Sequence, residues 1–262
     1  MTLKSKNILA GGAIFTMIVV LGGAWLFMKK DGGSPDPIPK GDTSRPDDGK
    51  KPDAMPPPPQ AIKLPADFGV LDESHSMLKG ETRTKTITAF NSLAEDIKKD
   101  PSDLHAWNSF GAIKKMFGDY KGAEQAWLFA LSINSTFTDA YANLGQLYWH
   151  YLIDYPKTEK MFLAVIKNNP AIISAYTNLS DLYRYNYTEK KTEADKILLK
   201  GLENNPEQAD LLSALASYYY DEGRRDLAIN FYERLVKADP GNKQAKKDLE
   251  ALRAGNPIGL PD

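Results

Sequence analysis

Prolines preceded by Asn or Asp recur at Pro101, Pro170, Pro206 and Pro240, and Ser135, itself preceded by Asn134, fills the missing place, so that successive markers stand 34, 35, 36 and 34 residues apart. A period of this length is that of one supersecondary unit, too small to bury its own apolar face, so such units persist only by stacking. Six residues beyond each of the first four markers comes a large side chain, Trp107, Tyr141, Tyr176 or Leu212, which opens an apolar pattern at helical spacing. The fifth marker is followed at the same distance by Lys246, so the pattern changes there.

The units agree in more than their first residue. The first carries Trp107, Phe110, Gly111, Gly118, Tyr120, Ala123, Trp127 and Ala130, and the second Tyr141, Leu144, Gly145, Tyr148, Phe162 and Pro170. The third has Tyr176, Leu179, Tyr183, Ala194, Leu198 and Pro206, and the fourth Leu212, Leu215, Ala216, Tyr219, Gly223, Ala228, Tyr232 and Pro240. This succession of a bulky residue, Leu-Gly, Tyr, Ala, an aromatic and Pro resembles the tetratricopeptide repeat family over about residues 101–240.

The resemblance implies an all-α fold, a right-handed α-solenoid of helix hairpins that bends into a superhelix with a concave side. Units are expected at about 104–137, 138–171, 172–207 and 208–240. Gly111, Gly145 and Ala216 would let the first helix of a pair lie close to the second, Gly118 and Gly223 would supply the turn, and proline would start the next helix, where its missing N–H costs nothing. The surplus residues of the second and third units fall in LIDYPK and YNYTEKKTE, predicted as longer turns. A lone amphipathic helix at 84–100 and a polar-faced helix at 241–254 would cap the stack, leaving 84–254 as the folded array and 255–262 as a tail.

Two unlike segments precede the array. Asn7 to Met28 holds no charged residue and is long enough to cross a hydrocarbon layer about 30 Å thick, with Lys4 and Lys6 before it and Lys29 and Lys30 after, so 1–30 reads as a retained single-pass transmembrane anchor. A cleavable signal would show a shorter apolar stretch and a small-x-small site, whereas Trp25, Leu26, Phe27 and Met28 run straight into lysines. Residues 31–83 read as a mostly disordered Pro-rich linker, because 31–66 alone contain 10 of the 17 prolines and no aliphatic run to seed a core. As polyproline II at about 3.1 Å per residue, such a stretch spans up to roughly 100 Å. Its Pro56–Pro59 run is also of the kind that docks in aromatic grooves.

The formal net charge of −1, from 33 basic and 34 acidic residues, argues against a nucleic-acid partner. With no cysteine and only His75, His105 and His150, set in different segments, neither a catalytic constellation nor a metal site nor a cofactor is expected. What the resemblance does imply is a peptide-binding groove along the concave face, on the first helices of the units. Its expected contacts are Asn108, Asn143, Gln146, Trp149, Asn178, Asp181, Arg184, Tyr185 and Tyr220. Asn143 and Asn178 fall at one slot of consecutive units, where an amide both donates to and accepts from an extended backbone. Trp149, Tyr185 and Tyr220 add a line of amphipathic aromatic surface, unless they pack on the following helix, and Arg184 is the one obvious cation for a carboxylate.

The expectation is a membrane-anchored scaffold that binds a protein or peptide partner. The lone helix followed by Asp100-Pro101 and Trp107 also resembles modules of bacterial envelope assembly, including cytochrome c maturation. The alternative is a structural protein that self-associates into a homo-oligomer through exposed helix faces or the C-terminal cap. Lysines flank the apolar run almost evenly, so topology rests on the short basic N-terminus and long stalk, which favour an array on the periplasmic side of a bacterial inner membrane.

Overall fold

A computed structural model describes residues 63–66 and 68–258. The apolar run read as an anchor and the proline-rich stretch up to residue 62 lie outside the described residues. Among those described, no helix is long and apolar enough to cross a membrane.

The described chain is all-helical: α1 Gly80–Lys99, α2 Leu104–Met116, α3 Tyr120–Ile133, α4 Thr138–His150, α5 Tyr155–Asn168, α6 Ile173–Asp181, α7 Ala194–Asn204, α8 Ala209–Asp221, α9 Arg225–Ala238 and α10 Lys243–Ala254. Four antiparallel hairpins, α2–α3, α4–α5, α6–α7 and α8–α9, follow one another, and the second helix of each packs on the first helix of the next. Asp103, Asp119, Asp154 and Asn242 cap their helices by accepting hydrogen bonds from backbone N–H groups of the first turn.

The marker prolines do not start helices. Each sits in the turn three residues ahead, Pro101 before Leu104, Pro170 before Ile173, Pro206 before Ala209 and Pro240 before Lys243. Their carbonyls explain the spacing of six. Trp107 Nε1 donates to the Pro101 carbonyl at 2.9 Å, Tyr141 OH to that of Ser135 at 3.1 Å and Tyr176 OH to that of Pro170 at 3.0 Å. A large side chain is thus packed by its ring and pinned by its polar tip. Leu212, in the fourth unit, packs without such a bond.

A second periodic bond joins neighbouring units. Tyr148 OH donates to Glu124 at 2.5 Å, Tyr183 OH to Glu159 at 2.6 Å and Tyr219 OH to Asp195 at 3.1 Å, each reaching back from a first helix, or for Tyr183 from just beyond the end of α6, to the second helix of the preceding hairpin. Burial and the neighbouring carboxylates push all three phenols up, Tyr219 to about 12.

Within a hairpin the close approach is made at glycine. A Cβ on Gly145 would stand 2.8 Å from the Phe162 ring, and one on Gly111 2.7 Å from the Trp127 indole. The turn slot is left-handed, with Gly118 at φ +81° and Gly223 at φ +69°, but in the second unit it falls to Ile153 at φ +50°. The surplus of the third unit is absorbed not by an open loop but by a π turn, Leu182–Asn186, and a 3₁₀ helix, Thr188–Glu193.

The N-terminal edge also differs from expectation. Helix α1 begins at Gly80, and residues assigned to the linker by composition are packed. Leu64, Phe68 and Leu71 join the core of the first unit, with the Phe68 ring 5.4 Å from Trp107 and 5.3 Å from Phe110. Buried Lys114 fixes this strap by donating to the Val70 carbonyl while paired with Asp119 at 2.7 Å.

Candidate functional site

The first helices α2, α4, α6 and α8 present one wall, and nearly every expected contact lies on it, in three different situations. Asn108 on α2 and Asn143 on α4 are bound to each other, the Asn143 amide donating to the Asn108 side-chain oxygen at 2.7 Å. The Asn108 carbonyl in turn accepts from Trp127 Nε1 at 3.1 Å. These two asparagines therefore fix the register of the first two units.

Between α4 and α6 the wall opens into a cleft of about 200 Å³, lined by Ala142, Asn143, Gln146, Ser174 and Asn178 over Phe162, Val165, Ile172 and Ala175. Here the structure brings together three expected contacts, Asn143, Gln146 and Asn178. The amides ring an apolar floor, the arrangement needed to hold a backbone while taking up a side chain.

Beyond the cleft the wall is occupied by its own contacts. Trp149 Nε1 donates to Asn186 at 2.9 Å, its ring stacks on His150 at 4.5 Å and meets Phe162 edge-on at 6.1 Å. Arg184, in the π turn, is only 8% exposed at its side chain. Its guanidinium donates to Asp221 at 2.5 Å and lies 4.9 Å from the Tyr185 ring and 5.3 Å from that of Tyr218. It is thus already paired. Asp181 is half-buried, and desolvation raises its carboxyl above the ordinary value against the pull of Arg184.

Tyr185 is the open aromatic of the row, 63% exposed. Tyr220, half-buried on α8, accepts a hydrogen bond from the Ile258 N–H at 3.3 Å, so the tail bends back on that end of the wall. Sequence reasoning missed Asn186 and Ile258 as partners of Trp149 and Tyr220. Both lie where the chain leaves the repeat pattern, so periodicity carried no signal for them. Among the described residues no three His, Asp or Glu side chains are grouped to hold a metal ion.

Comparison with known proteins agrees with this geometry. Residues 209–242 match the family model described as tetratricopeptide repeat. The C-terminal part of a TPR repeat-containing protein from Cytophaga hutchinsonii is similar with a TM-score of 0.51 at 21% identity, over 64% of this chain and 68% of that one. Pseudomonas aeruginosa pilF gives 0.50 at 18% identity over 66% and 82%. A tetratricopeptide repeat protein from Parabacteroides merdae gives 0.50 at 19% identity over 66% and 67%. No curated protein matches the sequence. Residues 209–242 are recognisable as a tetratricopeptide repeat by sequence, and the array has the fold of tetratricopeptide-repeat proteins. That fold is one of protein-interaction modules, whose members bind peptide or protein partners.

Proposed function

We propose that the chain is a membrane-tethered scaffold that holds a polypeptide partner in extended form along the wall of first helices. The observation that carries this reading is the cleft between α4 and α6, where Asn143, Gln146 and Asn178 surround an apolar floor on a face whose Trp149, Arg184 and Tyr220 are taken up by internal contacts. An extended chain would exchange backbone hydrogen bonds with the amides and lower one apolar side chain between α4 and α6. The charge-free run Asn7 to Met28 supports tethering, and the array outside the cytoplasm, in envelope assembly or complex biogenesis, is the setting that best suits the stalk.

The test uses the full chain against an array of capped decapeptides. A Gln146→Ala, Asn178→Ala double variant should retain bound peptides at least about tenfold more weakly, since two buried hydrogen bonds of about 1 kcal/mol each are lost. Equal retention by variant and wild type would remove the wall from consideration. Protease digestion of the array in intact spheroplasts is the expected sign of the periplasmic orientation, and protection until lysis would reverse it.

A further inference from the structure

The Asn108–Asn143 bond has neighbours that give the wall a chemical preference. Seven residues on from each asparagine come Lys115 and His150, on the same faces of α2 and α4 because seven residues are close to two helical turns. The asparagine pair fixes the register of the two helices, which puts both residues about 10 Å further along the wall, near enough that the Lys115 charge acts on His150. Each rests on an indole, Lys115 Nζ 5.9 Å from the Trp127 ring and the His150 ring stacked on Trp149 at 4.5 Å.

Neither makes an ion pair among the described residues: Asp139, in the first turn of α4, is about three helical turns from His150, and the other carboxylates of the flanking elements are engaged elsewhere. Glu124 on α3 accepts from Tyr148, Asp154 before α5 pairs with Lys157 at 3.2 Å, Asp119 holds Lys114, and Asp221 holds Arg184. Glu159 on α5 is taken by Tyr183 and Lys190, and Asp181 on α6 stands beside Arg184. Burial lowers the Lys115 ammonium from its ordinary value, and burial with the nearby Lys115 charge lowers the His150 imidazole. A half-buried ammonium and a more exposed imidazole beside it, each disfavoured in its charged form and without a counter-charge, make a place where a bound anion would favour both charges.

We propose that Lys115 and His150 form an anion subsite of the wall, which takes the side-chain carboxylate of a Glu or Asp in the bound polypeptide. This rests on the reading of the wall as a polypeptide site and adds its preference and its pH dependence. A carboxylate between the two groups relieves their mutual repulsion and draws a proton onto His150. Binding therefore tightens as pH falls through the histidine range, by up to about tenfold for a one-unit rise in one titrating group.

The experiment screens the full chain against pools of acetylated and amidated decapeptides, random except for one position fixed as Glu, Gln or Lys. Wild type should retain Glu pools over Gln and Lys pools, more strongly at pH 6 than at pH 8. Lys115→Met should abolish that preference while still retaining Gln pools. The chain has 3 histidines, so the resonance of His150 can be followed directly, and its titration midpoint should rise when a retained Glu peptide is added. Equal retention of Glu and Gln pools at both pH values overturns the anion subsite but leaves the wall. Retention of no pool at all overturns both. A preference that appears only when the C terminus is left free overturns the side-chain source of the carboxylate.

Discussion

The second and third units border the same cleft but are built differently, and the difference shows where a repeat tolerates change. In the second, Gly145 lets α4 close onto Phe162, and α4 runs straight to His150. In the third, the corresponding place is held by Ser180, 1% exposed, whose hydroxyl has no hydrogen-bond partner. Two residues later α6 gives way to the π turn. The tight unit keeps its helix and strains its turn at Ile153, whereas the loose one opens its helix and uses the π turn to place Arg184, Tyr185 and Asn186 on the wall. Single-turn π segments are often found where function, not packing, decides the backbone.

The largest effect that would sharpen this contrast is expected at Phe162. It closes the Gly145 approach, carries the edge of Trp149 and floors the cleft, so Phe162→Ala should cost about 3–5 kcal/mol in denaturant unfolding. The matching position of the third unit, Leu198, should cost less, about 2–4 kcal/mol. Equal losses would mean that the units are not packed to different tightness.

Next come opposite outcomes at one slot. Gly145→Ala places a methyl 2.8 Å from a ring that is itself fully buried. Overpacking of about 1–3 kcal/mol exceeds the gain in helix propensity of about 1 kcal/mol, so the variant should be less stable by up to about 2 kcal/mol. Ser180→Ala instead removes an unpaired buried hydroxyl and should stabilise by about 1 kcal/mol. A shift of the same sign in both would break the comparison.

How far these differences were legible in the sequence follows from what periodicity can carry. The hairpins were legible, because Trp107, Tyr141 and Tyr176 each need a neighbour to pack on and a carbonyl six residues back, and both requirements recur with the unit. The amide row was legible at Asn143 and Asn178 for the same reason. The π turn was not, since YNYTEKKTE shows a surplus without showing whether it loops out or widens a helix. Nor was the strap over the first unit, where Phe68 stands alone in a composition that otherwise reads as linker, and its anchor Lys114 lies 44 residues from Val70. Arg184 looked free because its partner Asp221 belongs to the next unit, and nothing in either unit alone points across the seam.

A smaller effect isolates the strained turn. Ile153 is 58% exposed, so its side chain contributes little burial, yet it holds a left-handed backbone that a β-branched residue adopts at a cost of about 1–2 kcal/mol. Ile153→Asn should raise the unfolding midpoint by about 1 kcal/mol equivalent, since Asn tolerates that conformation. No gain would place the strain elsewhere in the LIDYPK turn.

The smallest effect is one of pH, and it has opposite signs in the two units. His150 has a folded value below its ordinary 6.5, so the stability it leaves intact is fully present above pH 6.5 and is lost as pH falls through the lowered value. Asp181 has a folded value above its ordinary 3.8, so its contribution is fully present below pH 3.8 and is lost as pH rises through the raised value. His150→Gln should therefore match wild type at pH 8 and exceed it near pH 5, while Asp181→Asn should exceed wild type at neutral pH and match it near pH 3. Both groups are partly solvated, which keeps each difference below about 1 kcal/mol. Urea midpoints at four pH values would resolve the crossing, and parallel curves for the two variants would show that neither side chain is as desolvated as its place on the wall requires.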